Sequence, residues 1–151
     1  MSAQLSYSIK QAVALAGMIA DLANKNIVSR SVETPAGADF GIAVSRGTDK
    51  DKQVVIGGAD YLGITVRDIA RESDGVAGSI KYLEKDTAGV MREGYVWCII
   101  PTGGNPGDPI LFTDATGVID VGTAVAGQTQ IAGATLETVT AAGALGVVRL
   151  A

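Results

Sequence analysis

The sequence predicts an all-β fold: a compact β-barrel or sandwich of short antiparallel strands, preceded by an extended or partly helical N-terminal arm. From about residue 26 onward, apolar residues alternate with polar or small residues at a period of two. Turns rich in glycine and proline separate these short runs, as in antiparallel barrels and sandwiches. No helical pattern recurs between the runs, which disfavours a parallel α/β fold.

The composition supports a single domain with an aliphatic core. A chain of 151 residues can bury a sizeable core. Apolar residues make up 47% and aromatic residues 5%, which suits thin β-layers better than a deep substrate cavity. Charged residues make up 19%, below the roughly 25% usual in globular domains. Two interpretations stay open, a well-buried small domain or a chain that covers apolar surface with partners.

The amino terminus contains the longest apolar-rich run, at residues 9–23. Helical periodicity there favours an amphipathic helix packed on the domain, whereas Gly17 and the nearly continuous apolar character favour an extended arm across a neighbouring subunit. The run contains Lys10 and Asp21 and is shorter than the roughly 20 residues that a bilayer span needs. We therefore predict neither a membrane span nor a signal peptide.

The rest of the chain predicts a β-domain at residues 27–151, after an arm at residues 1–26. One run, at residues 94–100, is apolar on both faces, which indicates a central strand or one that pairs a face with another subunit. Residues 69–79 are polar and predict a loop. The predicted strands lie at residues 27–33, 40–45, 54–56, 61–67, 82–83, 87–92, 94–100, 110–113, 118–121, 130–140 and 144–150.

Few residues in the chain are suited to catalysis or metal binding. There is no histidine, which removes the commonest general base and transition-metal ligand. The single cysteine, Cys98, lies in an apolar run and is interpreted as a small core residue. Asp49 and Asp51 alternate as calcium ligands do, but the intervening Lys50 and the following Lys52 favour an exposed turn. We predict no catalytic residues, no metal site and no cofactor.

The charge balance argues against polyanionic partners. Sixteen acidic and twelve basic residues give a net charge of −4, and the isoelectric point is about 4.7. An acidic protein has no general attraction to phosphate backbones or to anionic lipid. We therefore predict no nucleic-acid partner and no membrane partner.

Several short motifs occur in an order typical of one family. They are AGMIAD at 16–21, FGIAVSRG at 40–47, LGITVRD at 62–68, DTAGVM at 86–91, GYVW at 94–97, GDPILF at 107–112 and LGVVRL at 145–150. In these motifs the chain resembles the capsid cement (decoration) proteins of tailed bacteriophages, and the resemblance covers nearly the whole sequence. It favours an extended arm over a helix, since the N-terminal segment of that family tends to engage neighbouring subunits.

The resemblance implies a non-enzymatic structural virion protein that docks on the outside of an icosahedral shell and ties capsomers together, often as a trimer. The implied partners are the major capsid protein and further copies of the chain, and the implied location is the outer capsid surface after synthesis in the host cytoplasm. The expected contact residues are Ile9, Val13, Leu15, Met18, Ile19 and Leu22. The alternatives are another virion component, such as a tail or head-fibre module, and a small ligand-binding β-barrel or enzyme.

Overall fold

The computed structural model describes residues 13–70 and 80–151, and across these ranges the chain is built from β-strands without an α-helix. The all-β prediction is confirmed. The strands are β1 (Ile19–Val32), β2 (Ala43–Arg46), β3 (Gln53–Ile56), β4 (Tyr61–Thr65), β5 (Thr87–Ile100), β6 (Pro109–Thr113), β7 (Ile119–Val121), β8 (Gln128–Leu136) and β9 (Ala144–Leu150). A search of the same ranges finds no helix able to cross a membrane.

Five strands close into a small barrel. The sheet order begins β1-β3-β2-β4-β5, and an additional pairing of β1 with β5 closes the ring. Strands β1 and β3 are parallel, with Ser31 opposite Gln53, whereas the other neighbours in the ring are antiparallel. The prediction of antiparallel strands throughout therefore misses one pair. Strand β3 runs parallel to β1 because the chain turns back from β2 and places β3 between β1 and β2.

Strand β5 belongs to both halves of the molecule. Its first half pairs with β1 and β4 in the barrel, and its second half, beginning at Gly94, pairs with β9. The sheet then continues through β8, β6 and β7. Gly94 has a φ of 126°, a conformation that favours glycine, at the point where the pairing changes. The two strands predicted at 87–92 and 94–100 are thus one continuous strand, and its central position is confirmed.

Two buried clusters form the core. The barrel cluster draws on all five ring strands and contains Val32, Ala38, Phe40, Val44, Val54, Leu62, Tyr82, Ala88 and Val90. The second cluster lies between the ring and the remaining strands and contains Ala43, Ile64, Val66, Met91, Val96, Cys98, Ile100, Ile110, Phe112, Ile119, Ile131, Ala134, Leu136, Val148 and Leu150. Leu62 and Ile64, although two residues apart, belong to different clusters because the pairing of β2 with β4 shifts register beside them.

Some predicted elements begin or end elsewhere. Strand β2 starts at Ala43 rather than Phe40, because Phe40 and Gly41 form a turn in which Gly41 has a φ of 74°. Tyr82 makes an isolated bridge to Ala38 rather than a strand. Its hydroxyl donates to the Val66 carbonyl at 2.7 Å. Strand β1 runs across residues 26 and 27, where the boundary between arm and domain was placed, and that boundary stays a prediction.

Burial in the second cluster predicts a large stability difference between two leucines. Leu136 is fully buried and Leu22 is 75% exposed. We expect Leu136→Ala to lower the free energy of unfolding by about 2–5 kcal/mol, because it leaves a cavity. Leu22→Ala should change it by less than about 0.5 kcal/mol. Urea denaturation of both variants measures the difference, and equal losses would contradict the assignment of the core.

Candidate functional site

The predicted contact residues do not form one compact group. Ile9 lies outside the described residues. Leu15, Met18 and Ile19 line one groove together with Val66, Arg67 and Ile69. Leu15 and Met18 are exposed and Ile19 is half-buried. The segment before β1 therefore presents apolar side chains to solvent in the described structure.

Val13 lies on a second groove. It is 89% exposed and shares the groove with Ala14, Trp97, Val139 and Leu145. Trp97 comes from β5 and Leu145 from β9, two paired strands. Val13 is thus placed against the outward side of the central strand rather than beside Leu15.

Leu22 is separate from both grooves. It lies in a bulge of β1, where the six residues from Asp21 to Asn26 lie opposite three residues of β5, from Tyr95 to Glu93. Asn24, in the same bulge, has a φ of 46°. Bulges redirect side chains out of a ladder, which explains why Leu22 projects into solvent although it belongs to a paired strand.

The segment before β1 is fastened to the domain by its backbone. The Gly17 amide donates to the Trp97 carbonyl at 2.7 Å, and the Trp97 amide donates to the Met18 carbonyl at 2.8 Å. On its other side the Gly17 carbonyl accepts from the Arg67 amide at 2.7 Å. The segment is therefore held between β5 and the residues that follow β4.

Two glycines allow this close approach. Gly17 has a φ of 81°, and a β-carbon there would lie 2.7 Å from the Phe40 β-carbon and 2.9 Å from the Arg67 amide nitrogen. A β-carbon on Gly41 would lie 2.8 Å from the Gly17 nitrogen. Real β-carbons do not approach other atoms so closely. We call this contact between Gly17 and Gly41 the glycine crossing.

A third groove joins the first two into a wider surface. It is lined by Ala16, Asp39, Phe40, Gly41, Ile42, Arg67, Ile80, Ile99, Val118 and Ile119. We call the exposed or half-buried apolar residues of the three grooves the arm face. It comprises Val13, Leu15, Ala16, Met18, Ile19, Ile42, Ile69, Ile80, Trp97, Ile99, Val118, Val139 and Leu145.

The arm face carries little charge. Among the described residues that line its three grooves, Arg67 is the one cation and Asp39 the one anion. The Arg67 guanidinium lies 5.0 Å from the centre of the Phe40 ring, within the range of a cation–π contact. An exposed apolar surface with so few charges is typical of a site that is covered by another protein.

Most of the arm face could not be assigned from the sequence. Trp97 and Ile99 gave a partial signal, because their strand is apolar on both faces and was predicted to be central or to pair a face with another subunit. Ile69, Ile80 and Val139 lie in connections between strands. Single apolar residues in loops follow no period, so no pattern marked Ile69 and Ile80. Val139 was placed in the strand predicted at residues 130–140, but β8 ends at Leu136.

The described residues contain no arrangement suited to metal binding, since no three acidic, cysteine or histidine side chains come together. Cys98 is fully buried, and this burial raises the pKa of its thiol and keeps it protonated. Burial also raises the pKa of the Tyr61 hydroxyl, and the nearby Cys98 adds to this effect. The pKa of Glu33 is lowered by hydrogen bonds from the Thr48 side chain and amide.

Comparison with known families identifies the chain. The family model described as structural cement protein (E217 gp24/Pam3 gp6) matches residues 3–151. The chain belongs to this family. The cement protein is accordingly a structural, capsid-stabilising phage protein located on the capsid of the virion.

A solved structure has the same fold as the cement protein. A chain in the structure titled "The capsid of Myoviridae Phage XM1" superposes with a TM-score of 0.76 at 18% sequence identity. The superposition covers 99% of the cement protein and 98% of that chain. At this identity the similarity concerns the fold. A search of curated proteins found no match.

The glycine crossing predicts that a methyl group added at Gly17 lowers the stability of the protein more than one added at Gly127. Gly17 and Gly127 have nearly equal φ values, 81° and 82°, but a β-carbon on Gly127 would meet nothing within 4 Å. We expect Gly127→Ala to cost about 1–2 kcal/mol of stability from backbone strain alone. Gly17→Ala should cost about 1–3 kcal/mol more, or release the segment before β1, because of the added clash.

Urea denaturation measures the difference between these two glycine variants, and hydrogen exchange at the Trp97 amide reports release of the segment. Faster exchange at Trp97 is expected in the Gly17 variant alone. Equal stability and equal exchange in both variants would contradict the glycine crossing.

Proposed function

We propose that the cement protein seats its arm face on the outer surface of the icosahedral capsid and there bridges neighbouring major capsid subunits. The observation that carries this proposal is the exposed, charge-poor apolar surface around the fastened segment. Burying apolar surface stabilises an interface by about 25 cal/mol per Å² before the costs of association. Membership of a family of structural cement proteins supports the capsid as the partner.

In the proposed contact surface, the segment before β1 is hydrogen-bonded to the sheet through β5. Because Gly17 is hydrogen-bonded to both Trp97 and Arg67, the backbone that carries Leu15 and Met18 is held in place before binding. A preorganised surface loses less conformational freedom when it binds. Ile9, in the proposed arm at residues 1–26, would extend this contact to a neighbouring subunit.

The proposal includes self-association as a homotrimer and excludes catalysis. Several weak contacts in one assembly add avidity, so a trimer could hold the shell more tightly than three separate copies. The trimer is supported by the resemblance in sequence to cement proteins. The absence of histidine supports a purely structural role.

The mass of the free protein tests the trimer. We expect sedimentation equilibrium to give about three times the mass of the 15.3 kDa chain. A trimer that appears only on shells would give the mass of one chain in free solution and three copies at each site on decorated particles. A dimer in both measurements would contradict this part of the proposal.

A charge placed in the arm face should weaken capsid binding. Val139 lies in the arm face and is 79% exposed, whereas Val125 is 66% exposed and lines none of the three grooves. We expect Val139→Asp to raise the Kd for undecorated shells at least about tenfold, equivalent to 1.4 kcal/mol. The penalty arises because the carboxylate would be buried without a partner.

Val125→Asp is the matched control and should bind as the unaltered protein does. Co-sedimentation with shells assembled without cement protein measures both affinities, and thermal melting confirms that both variants are folded. If the variant at Val139 binds as tightly as the control, the arm face is not the contact surface. If the unaltered protein fails to co-sediment, capsid docking itself is wrong.

A further inference from the structure

One end of the barrel is charged and lies away from the arm face. The connection between β2 and β3 consists of residues 47–52, and residues 48–52 are exposed. We call this connection, together with Arg46 and Asp60, the charged tip. Its residues pair with one another: Arg46 Nη1 and Lys50 Nζ lie 3.0 and 3.6 Å from the Asp60 carboxylate, and Lys52 Nζ lies 3.5 Å from Asp49.

The antiparallel pair β2–β4 separates the charged tip from the arm face. At one end of this pair the Gly41 amide donates to the Thr65 carbonyl at 2.9 Å, beside the glycine crossing. At the other end the Arg46 amide donates to the Asp60 carbonyl at 3.0 Å. Gly41 and Arg46 are five residues apart in sequence, and Ala43–Arg46 of this span form β2. The two ends are therefore separated by at most roughly 16 Å at the rise of a β-strand.

The arm face and the charged tip differ in the free energy that burial by a partner would involve. Covering the arm face removes apolar surface from water, which is favourable. Covering the charged tip would desolvate two lysines and an arginine whose ion pairs are now open to solvent, and that cost can exceed the gain from any new pairing. The tip also offers little net attraction to a partner, since the three basic side chains are matched by Asp49, Asp51 and Asp60.

We propose that the cement protein binds the capsid in a single orientation, with the arm face toward the shell and the charged tip pointing outward into solvent. This inference rests on the proposed function. It adds that the outermost surface of the decorated particle at each copy is the connection at residues 47–52. That surface carries alternating charges at positions 49–52 and makes no contact with the shell.

Cysteine labelling can test this orientation because the native Cys98 thiol should not react with the label. Cys98 is fully buried, and its pKa is raised by that burial. A cysteine introduced by Asp51→Cys reports on the charged tip, and one introduced by Val139→Cys reports on the arm face. In the free protein both should react with a maleimide carrying polyethylene glycol, while the unaltered protein should not react unless it is unfolded.

On decorated shells, we expect the cysteine at position 51 to react within about twofold of its rate in the free protein. The cysteine at position 139 should react at least about tenfold more slowly, because the shell covers it. A slower rate at position 51 would overturn the orientation, whatever happens at position 139. Unchanged rates at both positions would show that the protein is bound but that the arm face is not its contact.

Failure of the unaltered protein to co-sediment with shells would overturn the proposed function and, with it, the orientation. A different pattern, in which both variants co-sediment and only the cysteine at position 51 is protected, would leave capsid binding intact and reverse the orientation. Labelling and co-sedimentation measured on the same samples therefore distinguish an error in the orientation from an error in the function.

Discussion

The pairing of β5 on both of its edges is the constraint on which the rest of the structure depends. Its first half closes the barrel between β1 and β4, and its second half carries β9 and the strands beyond it. Val90 therefore packs inside the barrel while Val96, on the same strand, packs in the second cluster. Because both clusters depend on this one strand, a disturbance of β5 reaches the whole core.

The same strand also organises the surface. The backbone of Trp97 forms hydrogen bonds with Gly17 and Met18, so the segment before β1 joins β5 rather than hanging free. The Trp97 side chain then lies in the groove that holds Val13. The core and the arm face thus lie on two sides of one strand, which explains why the run at residues 94–100 is apolar on both faces.

The sequence predicted the elements better than their arrangement. Alternation located at least part of each of the nine strands in the described residues, because it reflects which side of each strand is buried. It missed the first half of β1, at residues 19–26. It did not reveal the parallel pairing of β1 with β3 or the single strand from Thr87 to Ile100, since both depend on contacts distant in sequence. The arm face was predicted in its first segment alone. Its other members come from separate strands and loops, from Ile42 to Leu145, and only the fold brings them near one another.

Gly17 has a mechanical consequence for a protein located on a capsid. A pull on the chain at Val13 reaches Gly17 within four residues, and there its amide and carbonyl are hydrogen-bonded to Trp97 of β5 and to Arg67, which follows β4. The force is divided between two paths before it enters the barrel. Separating this segment from the domain would therefore require breaking its hydrogen bonds to both Trp97 and Arg67.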